Sequence, residues 1–440
     1  MTEEKHLRVY TARSELVQSD GTSEIFQEGP QNAETRQRYT QITKALAEGF
    51  LSQQIETCRD QPDALGASAL TDQHSEILGR LVASVTSEVG RAVVGLTVLQ
   101  LCVKSLEPLQ SIRLHKGGTG ARDFSWQGGI SMRSLDNQFI TPTLRHYGLL
   151  KLNRDGFMMT RSLAENYPYS ALYKAQIRGA KGEWIKVVEA LESGILPPLP
   201  ALKYVLSKLL NLADDFQRLA DQTLALVRQR TQDVENPLSV QQVLSLLQHQ
   251  MNTSDYGARI LEIIMHALMQ ALAKFNVLDG ASLVPLSQMR SANKKHGNIA
   301  DIETHVGHEI REAWDAKYGK AYLRDELEEL GDKLEHHSAV LLAGFVSSVK
   351  PERLKELEAR RLDLEALSGV TIQILTLDEW MAQKIEQATA TGRVTEAELA
   401  AEWLNAYAES LAQRRPQLAP IDEPCYRWLE SLYDLLTPSL

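Results

Sequence analysis

The sequence predicts an α/β (α+β) protein, in which a core with a mixed central sheet follows a large, mainly helical N-terminal region. Three observations predict this class. Apolar residues recur at helical intervals between residues 34 and 106. Residues 112–170 then change to clustered glycines interleaved with aromatic residues and arginines. From about residue 254, helical patterns alternate with apolar runs of strand length, as in helices packed around a sheet.

The N-terminal third is predicted to be an all-helical unit. Residues 1–30 are polar, and we expect them to be loosely ordered apart from "LRVY". Residues 34–57 carry Ile42, Leu46 and Phe50 at helical spacing, and two more helices are expected across 72–106.

The middle of the chain is predicted to contain a binding surface. Residues 112–170 indicate loops with short elements and a turn at Asp155-Gly156. Loops held between helical blocks are common binding surfaces. Helices resume after residue 170, a proline-rich joint follows near 197–200, and further helices are expected at 201–230 and 238–250.

The C-terminal part contains the expected sheet. A helix should follow Ser254, which we expect to cap it, and another should begin near Pro351. "AVLLAGFVSS" (339–348) and "VTIQILTL" (370–377) have the length and β-branched character of strands. These patterns predict five regions: an N-terminal helical region (1–110), a basic loop-rich region (111–190), a helical connector (191–250), the α/β core (251–390) and C-terminal helices (391–440).

Composition limits the class of protein. The 440 residues carry a net charge of −10, yet residues 111–186 hold twelve Lys or Arg against five Asp or Glu, a local net charge of +7. Such segregation indicates a confined anion-binding surface on an acidic protein. Three distant cysteines form no metal or disulfide pattern, Cys102 is expected in the core, and a reducing cytoplasm is expected. No run is long and apolar enough for a membrane span, and no signal peptide is expected.

One stretch is ambiguous in its secondary structure. Residues 298–320, "NIADIETHVGHEIREAWDAKYGK", place Val306, Ile310, Trp314 and Tyr318 at four-residue spacing, which predicts an amphipathic helix with a solvated charged face. They equally predict two strands joined by a turn at residues 307–308.

The strand alternative has a chemical consequence. Asp315 and Lys317 would share one face, and Asp301 on the adjacent strand could reach them, with Glu303 on the face of Asp301. Two carboxylates are suitable ligands for Mg²⁺, which polarises a phosphate and acidifies a bound water. A nearby lysine can stabilise developing negative charge or help to deprotonate that water.

These residues resemble the PD-(D/E)xK nuclease core, whose order is helix, three strands, helix, strand. Asp301 matches its first acidic position, Asp315-Ala316-Lys317 matches its (D/E)-x-K, and Glu262 lies where many members carry a helical carboxylate. Residue 300 is Ala rather than Pro, the second acid is Asp rather than Glu, and a polar helix is expected after Lys320.

A wider resemblance covers residues 80–380. "RDFSWQGGISMRSLDNQFITPTLRHYGLL", "NKKHGNIADIE" and "WDAKYGK" look like the SacI-type group of type II restriction endonucleases. The resemblance implies site-specific, Mg²⁺-dependent cleavage of double-stranded DNA by a homodimer, a catalytic set of Asp301, Asp315, Lys317 and Glu262, and a cognate DNA methyltransferase in the same system. Asp301 and Asp315 would bind the metal.

Candidate DNA contacts fall in two places. Basic and amide side chains between residues 112 and 170 are of the types that clamp phosphates or read base edges. They are Lys116, Arg122, Arg133, Asn137, Gln138, Arg145 and Arg161. The cluster Asn293, Lys294, Lys295 and His296 directly precedes the Asp301 strand and is expected to position phosphate.

Two other functions remain open at this stage. One is a non-catalytic DNA-binding or adaptor protein of a defence system with a decayed nuclease fold. The other is a mostly helical interaction protein, in which residues 306–318 form a helix and no site exists.

Overall fold

The computed structural model describes residues 4–61, 69–86, 88–114, 126–150, 180–286, 298–337, 339–413 and 423–437. The chain divides into two compact units, Met1–Asp215 and Phe216–Leu440. This division is coarser than the five regions predicted above, whose finer boundaries stay a prediction.

The first unit begins with a small sheet that the sequence analysis missed. Strands β1 (His6–Val9), β2 (Arg13–Val17) and β3 (Ser23–Gln27) pair antiparallel in the order β1-β2-β3. Leu16 and Phe26 are buried from this sheet against Leu114 and Trp126. The expected loose segment and all-helical N-terminal third are therefore wrong, because this short alternating pattern buries one face of a sheet.

Helices make up most of the rest of the first unit. They are α1 (Ala33–Ala47), α2 (Phe50–Asp60), α3 (Asp72–Ala83), α4 (Glu88–Leu106), α5 (Met132–Leu135), α6 (Thr141–His146), α7 (Lys181–Glu192) and α8 (Pro198–Thr231), whose last part belongs to the second unit. The single helix expected over 34–57 is two helices, because Gly49 adopts φ +90° between them. Cys102 is fully buried, as expected.

The second unit contains the mixed sheet. Its strands are β4 (Ser282–Leu283), β5 (Ile302–Val306), β6 (Glu309–Lys317), β7 (Val340–Ser347) and β8 (Thr371–Thr376), in the order β4-β5-β6-β7-β8. β4, β5 and β6 pair antiparallel, whereas β6, β7 and β8 are parallel. The predicted α/β class with a mixed sheet is confirmed, and both apolar runs expected to be strands form β7 and β8.

Helices cover both faces of this sheet. They are α9 (Val240–Thr253), α10 (Gly257–Lys274), α11 (Arg324–Leu334), α12 (Leu354–Ser368), α13 (Leu377–Ala390), α14 (Glu396–Gln413) and α15 (Cys425–Leu436). Ile302, Trp314 and Val346 belong to a core shared with α10, α13 and α14. Ala313 and Phe345 belong to a second core shared with α11 and α12.

Two expected helix starts differ from the structure. Ser254 ends α9 with an extended backbone, and α10 starts after Tyr256, which has φ +64°. The expected Ser254 cap on α10 is therefore wrong, because the chain makes a separate turn there. α12 begins at Leu354, three residues after Pro351.

Gly344 in β7 lies where the sheet is packed too closely to admit a side chain. A Cβ atom at this position would lie 2.6 Å from the Gln373 carbonyl oxygen and 2.6 Å from the Trp314 ring. Gly344→Ala should therefore lower the free energy of unfolding by about 1–3 kcal/mol, measured by urea denaturation. Gly182→Ala is the control, since its Cβ would meet no atom within 4 Å in helix α7. Equal stability of the two variants would contradict the packing described.

Candidate active site

Two strands, Ile302–Val306 and Glu309–Lys317, lie within residues 298–320, so the helical alternative is wrong. β5 and β6 pair antiparallel, with Ile302 opposite Trp314, around a turn where Gly307 has φ +60°. The Trp314 indole nitrogen donates to Glu312 Oε2 at 2.8 Å, and the Lys384 ammonium also donates to Glu312. Trp314 is buried and packs edge-to-face on Trp380, with the ring centroids 6.1 Å apart. Burial of this face fixes which residues of β6 point the other way.

Asp301 and Asp315 are joined across the hairpin by two hydrogen bonds. The Asp301 backbone N–H donates to Asp315 Oδ1 at 3.1 Å, and the Ala316 backbone N–H donates to Asp301 Oδ2 at 3.1 Å. Asp301 directly precedes β5, and each carboxyl group is therefore held by the backbone beside the other one. Asp301 Oδ1 has no hydrogen-bond donor among the residues that the structure describes.

Lys317 completes the group that the sequence analysis predicted. Its ammonium lies 3.4 Å from Asp315 Oδ2 and 5.7 Å from the centre of the Phe345 ring. Burial lowers the pKa of Lys317, but Asp315, Asp301 and Glu326 raise it by more, so the pKa lies above its ordinary value. Lys317 is therefore a cation at neutral pH, which suits charge stabilisation better than proton abstraction.

The surroundings of Asp301 disfavour the ionised form of its carboxyl group. Burial raises its pKa, and the charges of Asp315 and Glu262 raise it further, to about 8, against the hydrogen bond from Ala316 and the charge of Lys317. Burial is the largest cause and the neighbouring carboxylates add to it, and a bound cation would offset both by favouring the ionised form.

Glu262 approaches this group from helix α10. The Arg259 guanidinium donates to Glu262 one helical turn along, and Arg259 Nε donates to Glu423 Oε1 at 2.6 Å. Arg259 and Glu423 are both buried. The resulting Glu262–Arg259–Glu423 chain holds the helical carboxylate beside Asp301.

Glu303 is not part of the group. Its Oε1 accepts the backbone N–H groups of Ile299 and Ala300, at 2.5 and 3.0 Å, and its Oε2 lies 2.9 Å from His305 Nε2. Glu303 therefore organises the loop that leads into β5. Of the two carboxylates considered as a third member, the geometry favours Glu262.

Sequence reasoning missed three residues around the site. Arg259 and Glu423 support Glu262, and Lys333 on α11 lies 3.9 Å from Asp315 Oδ2. The spacing of Arg259 and Glu262, three residues apart on a predicted helix, is a signal that could have found their pair. Glu423 and Lys333 come from distant segments, and no local pattern identifies them.

The expected DNA contacts are only partly within the described residues. Arg133, Asn137, Gln138 and Arg145 are exposed along α5, the π-helical turn Asp136–Ile140 and α6, in the first unit. The other seven, Lys116, Arg122, Arg161, Asn293, Lys294, Lys295 and His296, lie outside the described residues. Their expected roles stay predictions.

The donor set fits a divalent cation of the Mg²⁺ type. Within the described ranges, no group of three or more His, Cys, Asp or Glu side chains is arranged to hold a metal ion. Asp301 and Asp315 nevertheless offer two hard oxygen ligands, and Mg²⁺ is commonly held by one or two carboxylates with waters and phosphate oxygens. The crowding of negative charge around Asp301 supports the same fit.

Comparison with known proteins identifies no family. No family model matches the chain, and a search of curated proteins finds no match to it. None of the helices in the described ranges has the length and apolar character needed to cross a membrane.

Asp301→Asn should change how stability depends on pH. An unfolded Asp ionises near pH 4, whereas folded Asp301 keeps its proton up to about pH 8. Between these values unfolding releases a proton, so the wild type should lose up to about 1.4 kcal/mol of stability per pH unit, relative to the variant, as pH rises. Thermal unfolding in EDTA from pH 5 to 8 measures this difference. The control is Asp332→Asn, at an exposed position, which should keep the pH dependence of the wild type. Parallel curves of stability against pH for the wild type and Asp301→Asn would contradict the raised pKa of Asp301.

Arg259→Leu should be strongly destabilising. It leaves Glu262 and the buried Glu423 without their shared cation, which should cost about 3–5 kcal/mol in urea denaturation. Lys274→Leu is the control on the same helix, since its pair with Glu402 involves an exposed lysine and should matter by less than about 1 kcal/mol. Similar small losses in both variants would show that Arg259 does not hold this chain of charges.

Proposed function

We propose that this protein is a divalent-metal-dependent endonuclease that hydrolyses phosphodiester bonds of double-stranded DNA. The observation that carries the proposal is the convergence of Asp301, Asp315 and Lys317 on one hairpin, joined by the two cross-strand hydrogen bonds. Two carboxylates beside a lysine form the minimal arrangement for metal-assisted hydrolysis of a phosphodiester.

The order of elements supports a nuclease core. Helix α10 precedes the antiparallel strands β4, β5 and β6, of which β6 and the start of β5 carry the site; helix α11 follows, and β7 then pairs parallel with β6. This order is similar to the helix, three strands, helix, strand of the PD-(D/E)xK core. Helix α11 takes the position of the helix between the third and fourth strands, and α12 and β8 follow this set.

Each residue has a task in the proposed reaction. Asp301 and Asp315 would hold Mg²⁺, which supplies polarisation of the phosphate and an acidified water. Lys317 would stabilise the negative charge that develops on the phosphate oxygens, because the surrounding carboxylates keep it protonated. Glu262 would direct a further carboxylate oxygen at the same place, either toward the metal's waters or toward Asp301.

The finer parts of the proposal follow the resemblance to restriction endonucleases. We propose site-specific cleavage in a restriction or phage-defence system, a homodimer with one site for each strand of a palindrome, a cytoplasmic location and a cognate methyltransferase. The exposed Arg133, Asn137, Gln138 and Arg145 would contact the duplex, as would the basic residues expected on either side of them.

Cleavage of plasmid and phage DNA tests the proposal. Wild-type protein with Mg²⁺ should produce fragments with discrete ends, and EDTA should abolish cleavage. Asp301→Asn, Asp315→Asn and Lys317→Ala should each lower the rate by about 100-fold or more, since each removes a group acting on the transition state. Asp332→Asn and Lys355→Ala, both at exposed positions, are the charge-matched controls and should cleave normally.

Three outcomes would change the proposal. Full activity of Asp315→Asn and Lys317→Ala would remove these residues from the chemistry. Fragments without discrete ends would indicate a nonspecific nuclease. DNA binding without cleavage under Mg²⁺, Mn²⁺ or Co²⁺ would favour the non-catalytic DNA-binding or adaptor protein of a defence system.

A further inference from the structure

Asp315 Oδ2 lies between two lysines from different elements. Lys317 Nζ, on the same strand, is 3.4 Å away, and Lys333 Nζ, on helix α11, is 3.9 Å away. Lys317 also faces Asp301 and Glu326, and Lys333 also pairs with Glu329. With a divalent cation bound by Asp301 and Asp315, the two lysines would add positive charge that suits an anionic substrate.

Helix α11 is built to present Lys333 at this point. Leu327, Leu330 and Leu334 are buried in the core that includes Phe345 of the sheet, which anchors the helix on the face that carries Asp315. Lys333 lies on the last turn of the helix, with 21% of its side chain exposed. Helix α11 thus brings a second cation to the site.

The two lysines differ in how firmly they are held. Lys317 is surrounded by Asp315, Asp301 and the Phe345 ring. Besides Asp315, Lys333 has an ion pair of 3.1 Å with Glu329, whose side chain is 68% exposed. Exposed pairs of this kind contribute little free energy, so Lys333 can exchange Glu329 for a phosphate oxygen at small cost.

We propose that Lys333 binds a phosphate oxygen of the DNA strand at the cleavage site, so that the site uses two lysines with separate tasks. Lys317 acts on the developing charge, and Lys333 holds the substrate's backbone in position. This inference rests on the proposed function, because it takes DNA as the ligand of the Asp315 site.

The salt dependence of DNA binding separates this role from a purely structural one. Binding of a short fluorescent DNA duplex is measured with Ca²⁺ in place of Mg²⁺ over a series of salt concentrations. Loss of one phosphate contact should reduce the magnitude of the negative slope of log affinity against log salt by about 0.9. It should also weaken binding by about ten-fold at a fixed salt concentration. We expect both effects in Lys333→Ala, recovery of the slope in Lys333→Arg, and neither effect in Lys355→Ala.

Cleavage kinetics provide the second readout. In single-turnover cleavage of plasmid DNA with Mg²⁺, Lys333→Ala should raise the DNA concentration that gives half the maximal rate. Lys317→Ala should lower the maximal rate itself. Folding of each variant is checked by thermal denaturation, and Lys333→Gln serves as the second variant if Lys333→Ala is unstable.

Each outcome has a distinct meaning. An unchanged salt slope in folded Lys333→Ala or Lys333→Gln overturns the assignment of Lys333, even if Lys317→Ala is inactive and the proposed nuclease function stands. A wild-type protein that binds DNA but never cleaves it, with a reduced slope in Lys333→Ala, contradicts the nuclease function and keeps the phosphate contact. Wild-type protein that neither binds nor cleaves DNA overturns both.

Discussion

The antiparallel pairing of β5 with β6 is the constraint on which the candidate site depends. Asp301 and Asp315 are fourteen residues apart in the chain, and only this register brings them together. Because each carboxyl group accepts a backbone N–H from beside the other one, the pairing holds two carboxyl groups at short range. A shift by one residue would turn Asp315 and Lys317 to the face that Trp314 now occupies, away from Asp301.

The surrounding structure counteracts the repulsion that this pairing creates. Trp314 and Trp380 pack on the opposite face, so the register is stabilised by burial of large apolar side chains. Arg259, held by Glu423, compensates the charge of Glu262 on α10. The ionised form of Asp301 remains unfavourable, as its raised pKa shows. Active sites often contain such unfavourable groups, because side chains arranged to bind a cation or a transition state are poorly satisfied in its absence.

Local sequence patterns predicted the elements that carry the site. The alternation in residues 309–318, the glycine at the turn and the Asp-x-Lys spacing were sufficient to propose the hairpin and the convergence of Asp301, Asp315 and Lys317. The same stretch also had helical periodicity, and burial of Trp314 against a distant helix decides between the two. Local patterns could not reveal Lys333 or Glu423, because tertiary packing alone brings α11 and the segment before α15 to the site. The β1–β3 sheet was missed because its strands are short and mostly exposed, so few apolar residues mark them.

The central claim is that Asp301 and Asp315 form a divalent-cation site on one hairpin. The most direct measurement is anomalous X-ray diffraction from crystals of the wild-type protein grown or soaked with Mn²⁺. The claim predicts a single strong anomalous peak in contact with a carboxylate oxygen of each of these two residues, and its loss in crystals of Asp315→Asn. A Mn²⁺ ion bound elsewhere, with both carboxylates directed only at Lys317 and the backbone, would contradict it.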